Sequence, residues 1–224
     1  MKKKKIFISI TGMSGAGKTT LVNSLRNYYN KKSERGTPLK IAFMEEGARD
    51  ILKNDLPNLD LSKYLTTPFN QLTDVDRAKY EVWQAKLCEN FNNKLDQVGD
   101  VDIIISDRSP VDQLVYYLIQ YGDKTSQMYD NITTMISAIA TAYSNWMIFL
   151  DTPIDQVMSN MKTDSGHHYT EDLFNLLQEK SMFLQVIKEL DFLDTIMIMN
   201  GNSPDKLLRV IDLIKENLGD SSKS

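Results

Sequence analysis

Gly12-Met13-Ser14-Gly15-Ala16-Gly17-Lys18-Thr19 fits the pattern G-x-x-x-x-G-K-[ST] at every position. An apolar run, Ile6–Thr11, precedes it and a helical stretch, Thr20–Tyr29, follows. Strand, glycine turn and helix are the setting this pattern needs. Glycines let the backbone curl until successive N–H groups face one anion. The start of the helix adds its dipole. Gly12, Ser14, Gly15, Ala16, Gly17, Lys18, Thr19 and Thr20 are therefore the expected phosphate-binding residues. Lys18 would reach the β- and γ-phosphates as a point charge, and the Thr19 hydroxyl would ligate Mg²⁺. The motif predicts a nucleoside triphosphate site. It does not separate a kinase from a GTPase, a motor or a switch.

Outward from this loop, short apolar runs alternate with helical patterns, which argues for βαβ units and a parallel sheet. The strand candidates are Ile6–Thr11, Ile41–Met44, Val101–Ser106, Trp146–Leu150 and Thr195–Met199. Each is brief and bounded by polar or turn residues, as strands covered on both faces should be. Val75, Ala78, Val82, Ala85, Cys88, Phe91 and Leu95 recur at three- and four-residue spacing and predict one helix with that face inward. Ser203 suits an N-cap, Pro204 the first helical turn and Gly219 the stop of a last helix. Gly36-Thr37-Pro38 and Asp164-Ser165-Gly166 read as turns.

Two further stretches carry chemistry. Ile103-Ile104-Ile105-Ser106-Asp107-Arg108-Ser109-Pro110 ends a buried strand with an acid and a base. Ligands of open parallel sheets sit at the carboxyl ends of the strands. Asp107 is thereby expected near the phosphate loop as a Mg²⁺ ligand, direct or through water. Arg108 offers a planar cation to phosphate oxygens. The second strand ends in Glu45-Glu46-Gly47-Ala48-Arg49, where an acid could accept the proton of an attacking hydroxyl. Glu45 is preferred over Glu46, with Arg49 four residues on.

The order of these motifs resembles the thymidylate kinase and deoxynucleoside kinase superfamily, and the related P-loop kinases that include ribosylnicotinamide kinase. It runs from the phosphate loop to Glu45, Asp107-Arg108-Ser109 and Phe149-Leu150-Asp151-Thr152-Pro153. The resemblance implies an α/β three-layer P-loop NTPase fold, with a parallel five-stranded sheet in order 2-3-1-4-5 flanked by helices. Chain length suits a single kinase domain over residues 1–218, and the Gly, Ser, Lys and Asp of 219–224 are expected to form a flexible tail. The resemblance also implies a Glu45 base, an Arg108 beside the reacting group, and Gln84 reading the base of the acceptor. Asn200-Gly201-Asn202-Ser203-Pro204 resembles the loop that passes the adenine. The chain departs from the pattern in the lid-like segment, about 158–170. Arginines are expected there, yet the cations present are Lys162, His167 and His168. Lys162 would then serve, or Arg77 or Arg49 from the other side.

Composition sets the outer limits. The 224 residues are 42% hydrophobic and 25% charged, with a net charge of −4, so no global basic field holds nucleic acid. Lys2 to Lys5 reads as a solvated start to the first strand. The single cysteine, Cys88, forms no internal disulfide and is expected to be packed and inert. No run reaches the length of a membrane span, and the apolar run after the lysines breaks too early for a leader, so a cytoplasmic protein is expected. The sequence-level reading is an ATP- and Mg²⁺-dependent phosphotransferase acting on a small-molecule nucleoside or nucleotide, nearest to a thymidylate-kinase-like deoxynucleotide kinase. Two alternatives stay open: a kinase of a hydroxymethylated pyrimidine in DNA, and a regulatory P-loop NTPase. Pairing into a homodimer is common among the kinases resembled, and composition does not decide it.

Overall fold

The computed structural model describes residues 5–33, 39–48, 51, 54, 56, 71–122, 124–163, 173–190, 195–199 and 203–219. Strand β1, Ile6–Thr11, has all six residues buried and lies at the centre of the sheet. Continuous burial is what a strand covered on both faces requires. Parallel neighbours flank it: β3, Ile103–Asp107, in the register Ile8↔Ile105, and β4, Ser144–Leu150, in the register Ile8↔Trp146. The edges are β2, Ile41–Met44, beside β3, and β5, Thr195–Met199, beside β4. The order is β2-β3-β1-β4-β5, as the resemblance implied. The third strand starts at Ile103 rather than Val101 and takes in Asp107; the fourth begins two residues before Trp146.

The two-residue period of a strand divides the core. Ile6, Ile8, Ile10, Ile103 and Ile105 join the larger apolar cluster, whereas Phe7 and Ile104 join a smaller one with Met44 and Phe91. Helix α1, Lys18–Ser33, packs beside the last helix, α7, which spans Ser203–Gly219 and so already includes the expected cap residue. Helices α2, Asp74–Gln97, and α4, Gln127–Ala142, supply Phe91, Met135 and Ile139 to the smaller cluster. Helix α3, Pro110–Tyr121, lies along α4 and along α6, Leu173–Glu189; α5, Ile154–Thr163, follows β4.

The inner face of α2 is not the one its apolar spacing predicts. Asp76, Tyr80, Gln84, Leu87 and Phe91 are buried, while Val75, Ala78, Val82 and Ala85 are exposed. Gln84 bonds the Tyr80 hydroxyl, and Tyr80 packs with Leu72, Trp83 and Tyr121, a partly polar interior that the apolar periodicity rule does not count. Cys88 is half-buried, its thiol set against Gln113, and burial pushes it up to about 11, so it stays protonated at neutral pH.

Candidate active site

The glycine loop curls where β1 meets α1. Gly12 and Gly15 have φ of +144° and +71°, in the region L side chains rarely adopt. A Cβ on Gly12 would stand 2.9 Å from the Leu150 carbonyl oxygen, and one on Gly15 2.7 Å from Met161 Cγ. The loop is clamped from β4 and α5. Thr152 Oγ1 donates to the Ala16 carbonyl at 2.9 Å, and Asn160 Nδ2 to that of Gly15 at 2.9 Å. Lys206, buried on α7, donates to Thr152 Oγ1 at 2.9 Å, so the clamp is itself held.

Lys18 is buried, and its ammonium donates to the carbonyls of Gly12 at 2.6 Å and Met13 at 2.8 Å. Burial, with the Arg108 guanidinium next in weight, lowers it to about 8. Thr19 and Thr20 are exposed at the mouth of the loop.

Asp107 ends β3, buried, and its Oδ1 has no hydrogen-bond partner. Arg108 follows with φ +71°, the only non-glycine positive φ among the described residues. Its amide still donates to the Ile10 carbonyl at 3.0 Å, and Ser106 Oγ donates to its carbonyl at 2.6 Å. The side chain turns to Glu46, with Nε 3.0 Å from Oε1, and to Tyr116, with NH1 3.1 Å from the hydroxyl. Burial opposes the guanidinium charge, but Glu46, then Tyr116 and Asp112, hold its pKa well above the ordinary value.

The two acids after β2, of which Glu45 was the expected base, face different partners. Glu46 is the one brought to Arg108. Glu45, with a side chain 65% exposed, pairs with Arg26 of α1 at 2.9 Å. A one-residue step along an extended chain reverses the side chain's direction. Arg49, His167, His168 and 200–202 lie outside the described residues, as does the lid-like segment beyond residue 163. Lys162 is exposed in the last turn of α5, and Arg77 pairs with Asp74 at 3.7 Å at the start of α2. Gln84 is 1% exposed; its Nε2 donates to the Tyr80 hydroxyl at 2.8 Å and its Oε1 has no partner. The neighbouring Trp83 Nε1 is likewise without one.

Three residues join the site without having been expected. Asp112, buried in the first turn of α3, forms a capping box with Ser109, which the S-x-x-D spacing of 109–112 could have signalled. Burial pushes its carboxyl up to about 6, against the pull of Arg108 and Lys18. Tyr116, one turn further along α3, donates to Glu179 Oε1 at 2.6 Å and meets Ser14 Oγ at 3.2 Å. Glu179, 4% exposed on α6, also accepts the Ser14 backbone N–H at 2.9 Å. An acid among the buried Leu176, Phe183 and Val186 was the available signal.

The donor set fits the groups its motif implies. Asp107 keeps an open carboxylate oxygen, Thr19 a solvent-facing hydroxyl, and nothing lies within 4 Å of where a Gly17 side chain would be. These are the oxygen ligands and the open mouth that Mg²⁺ and a polyphosphate need.

A parallel 2-3-1-4-5 sheet with a glycine loop after its central strand, and an acid–arginine pair after the strand beside it, defines a phosphotransferase of the P-loop nucleoside and nucleotide kinase superfamily. The chain belongs to the AAA domain family, whose model matches residues 7–189. It is similar to a probable thymidylate kinase of Saccharolobus solfataricus, 25% identical over 94% of this chain and 97% of that one. A thymidylate kinase of Bacillus cereus is 24% identical over 96% and 99%. Among solved structures, a deoxyadenosine kinase from M. mycoides with bound dCTP shares the fold, with a TM-score of 0.60 and 13% identity over 94% of this chain and 99% of that one. Among the described residues no helix is long and apolar enough to cross a membrane.

Proposed function

We propose that the chain is a kinase of the thymidylate type, transferring the terminal phosphoryl group of ATP to a small deoxynucleoside or deoxynucleotide. One observation carries the reading: Arg108 stands between the two halves of the site. It holds Glu46 at 3.0 Å on one side and Tyr116 at 3.1 Å on the other, and Tyr116 touches Ser14 of the phosphate loop at 3.2 Å. A guanidinium so placed can neutralise charge on a phosphoryl group passing between donor and acceptor. Its φ of +71° is the kind of local backbone cost found at functional positions.

In this reading the loop amides and Lys18 bind the donor phosphates. Lys18 leaves the carbonyls of Gly12 and Met13 for phosphate oxygens, whose negative charge favours its ammonium form. Mg²⁺, held by Thr19 and Asp107, would offset the negative charge of the phosphates. Glu46 orients the acceptor and, where that acceptor is a hydroxyl, takes its proton. Gln84 presents its open Oε1 to an N–H of the acceptor base. A buried acceptor left without a donor costs about 1–3 kcal/mol, and a base that satisfies it recovers that cost on binding.

The test is ADP release from ATP and Mg²⁺ with a panel of acceptors: nucleosides, deoxynucleoside monophosphates, ribosylnicotinamide, and duplex DNA with and without hydroxymethyluracil. Stimulation by a deoxynucleoside or its monophosphate, lost in Lys18→Ala, is the expected result. Stimulation by modified DNA alone overturns the choice of acceptor. Tight ATP binding with no acceptor effect overturns the kinase reading and leaves a regulatory NTPase.

A further inference from the structure

The amides of a phosphate loop are an anion site, and one of them is already taken. The Ser14 N–H donates to Glu179 Oε1 at 2.9 Å, and the Tyr116 hydroxyl donates to the same oxygen at 2.6 Å. Two donors on one carboxylate oxygen reproduce what the loop offers a phosphate oxygen. Ser14 is also the loop residue facing the acceptor half, through Tyr116 and then Arg108. The phosphate presented to an acceptor is the terminal one, so the Ser14 amide belongs to that phosphate.

Resting on the proposed kinase reading, we propose that Glu179 is an internal occupant of the terminal-phosphate position, and that its carboxylate sets how strongly the loop distinguishes a nucleoside triphosphate from a diphosphate. A γ-phosphate and the Glu179 carboxylate cannot share one amide, and their like charges repel at contact distance. A diphosphate, lying nearer Lys18 and the start of α1, leaves Ser14 to Glu179. The moving part is the side chain and not the helix. Leu176, Phe183 and Val186 are buried on either side of Glu179, and Phe183 packs edge-on to Tyr116, with ring centres 6.3 Å apart, and tilted against Phe149, at 5.5 Å. Next along, Lys180 is paired with Asp151 at 2.5 Å, a second anchor for α6. With the backbone so held, triphosphate entry requires the Glu179 side chain to rotate away from Ser14 and Tyr116.

Titration calorimetry with ATP and ADP on wild type and Glu179→Gln tests this directly. Glutamine keeps the shape and an acceptor oxygen while removing the charge. The expected result is ATP affinity raised about tenfold or more, as removal of a like charge at contact implies, with ADP affinity changed less than about threefold. An unchanged ATP-to-ADP ratio overturns the inference, and so does weaker binding of both nucleotides, which would make Glu179 a support of the loop. The wild type gives a second readout independent of any variant. By NMR, the Ser14 amide proton should exchange slowly in the free protein; exchange as fast as that of an unbonded loop amide overturns the inference. Wild type that binds neither nucleotide overturns the proposed function as well, whereas ordinary binding with an unchanged ratio overturns this inference alone.

Discussion

Gln84→Met separates a residue that serves a ligand from one that serves the core. Methionine matches glutamine in length, so no cavity opens. The change removes one hydrogen bond, Nε2 to the Tyr80 hydroxyl at 2.8 Å, worth about 0.5–1.5 kcal/mol net. It also removes a buried, unpartnered Oε1, whose desolvation costs about 1–3 kcal/mol, and it adds apolar surface at a site 1% exposed. The change also takes the Gln84 donor from the hydroxyl of Tyr80, a residue 2% exposed, so gain and loss nearly offset and the variant should stay within about 1 kcal/mol of wild type in stability. For a chain of this size that is roughly 4 °C in Tm or less. Acceptor KM should rise at least about tenfold, because the base then meets no acceptor, a loss of about 1.4 kcal/mol or more. Thermal melts and steady-state kinetics on one preparation decide it. A variant that melts more than about 4 °C lower and keeps its acceptor KM refutes the argument and returns Gln84 to the core.

Three further expectations follow from the site's geometry and charges. With a hydroxyl acceptor, Glu46→Gln should lower kcat by about a hundredfold, while Glu45→Gln, at a side chain 65% exposed, should stay within about twofold; equal effects would refute the placement of these acids. Nucleotide binding needs Lys18 charged, and its pKa in the free protein is about 8, so ATP affinity should be flat below pH 7 and fall about tenfold from pH 7 to pH 9; a flat calorimetric profile to pH 9.5 would contradict this. Asp112 has a folded pKa of about 6, above its unfolded value near 3.8, so the folded state binds the proton more tightly. Its contribution favours folding below pH 4, is lost as pH rises to 6, and amounts to on the order of 3 kcal/mol. Asp112→Asn should therefore flatten the Tm profile between pH 4 and 6, and an unaltered profile would assign that slope to other groups.

Much of this site was legible because its chemistry is written in contiguous residues. The loop of 12–19 and the pair Asp107-Arg108 each follow a strand, and strand ends of a parallel sheet converge on one edge. The five strands were readable for the same reason: Ile6–Thr11 and Ile103–Asp107 are short apolar runs with nothing else to become. What was not legible depends on three-dimensional neighbours. Apolar spacing pointed to Val75 and Val82 as the inner face of α2. The observed inner face carries Asp76, Tyr80 and Gln84, whose polar groups meet Thr73 and one another, and apolar spacing does not register such pairing. Which of Glu45 and Glu46 meets Arg108 turned on Arg26 pairing with one of two adjacent carboxylates, and no spacing rule contains Arg26. Tyr116 and Glu179 are 63 residues apart and meet only because α3 and α6 pack along each other.

The positive φ of Arg108 has a consequence for how this protein can change over generations. Any L side chain at position 108 inherits the same left-handed backbone, a burden of roughly 1–2 kcal/mol. Replacement by Lys, Gln or Ala gives up the contacts to Glu46 and Tyr116 without relieving it. Only glycine escapes, and glycine has no cation to offer. A lineage released from selection for catalysis would find Arg108→Gly the easiest way to a more relaxed backbone there. A glycine between the acid and the serine, in a chain otherwise like this one, would then mark a descendant that kept the fold and abandoned the reaction.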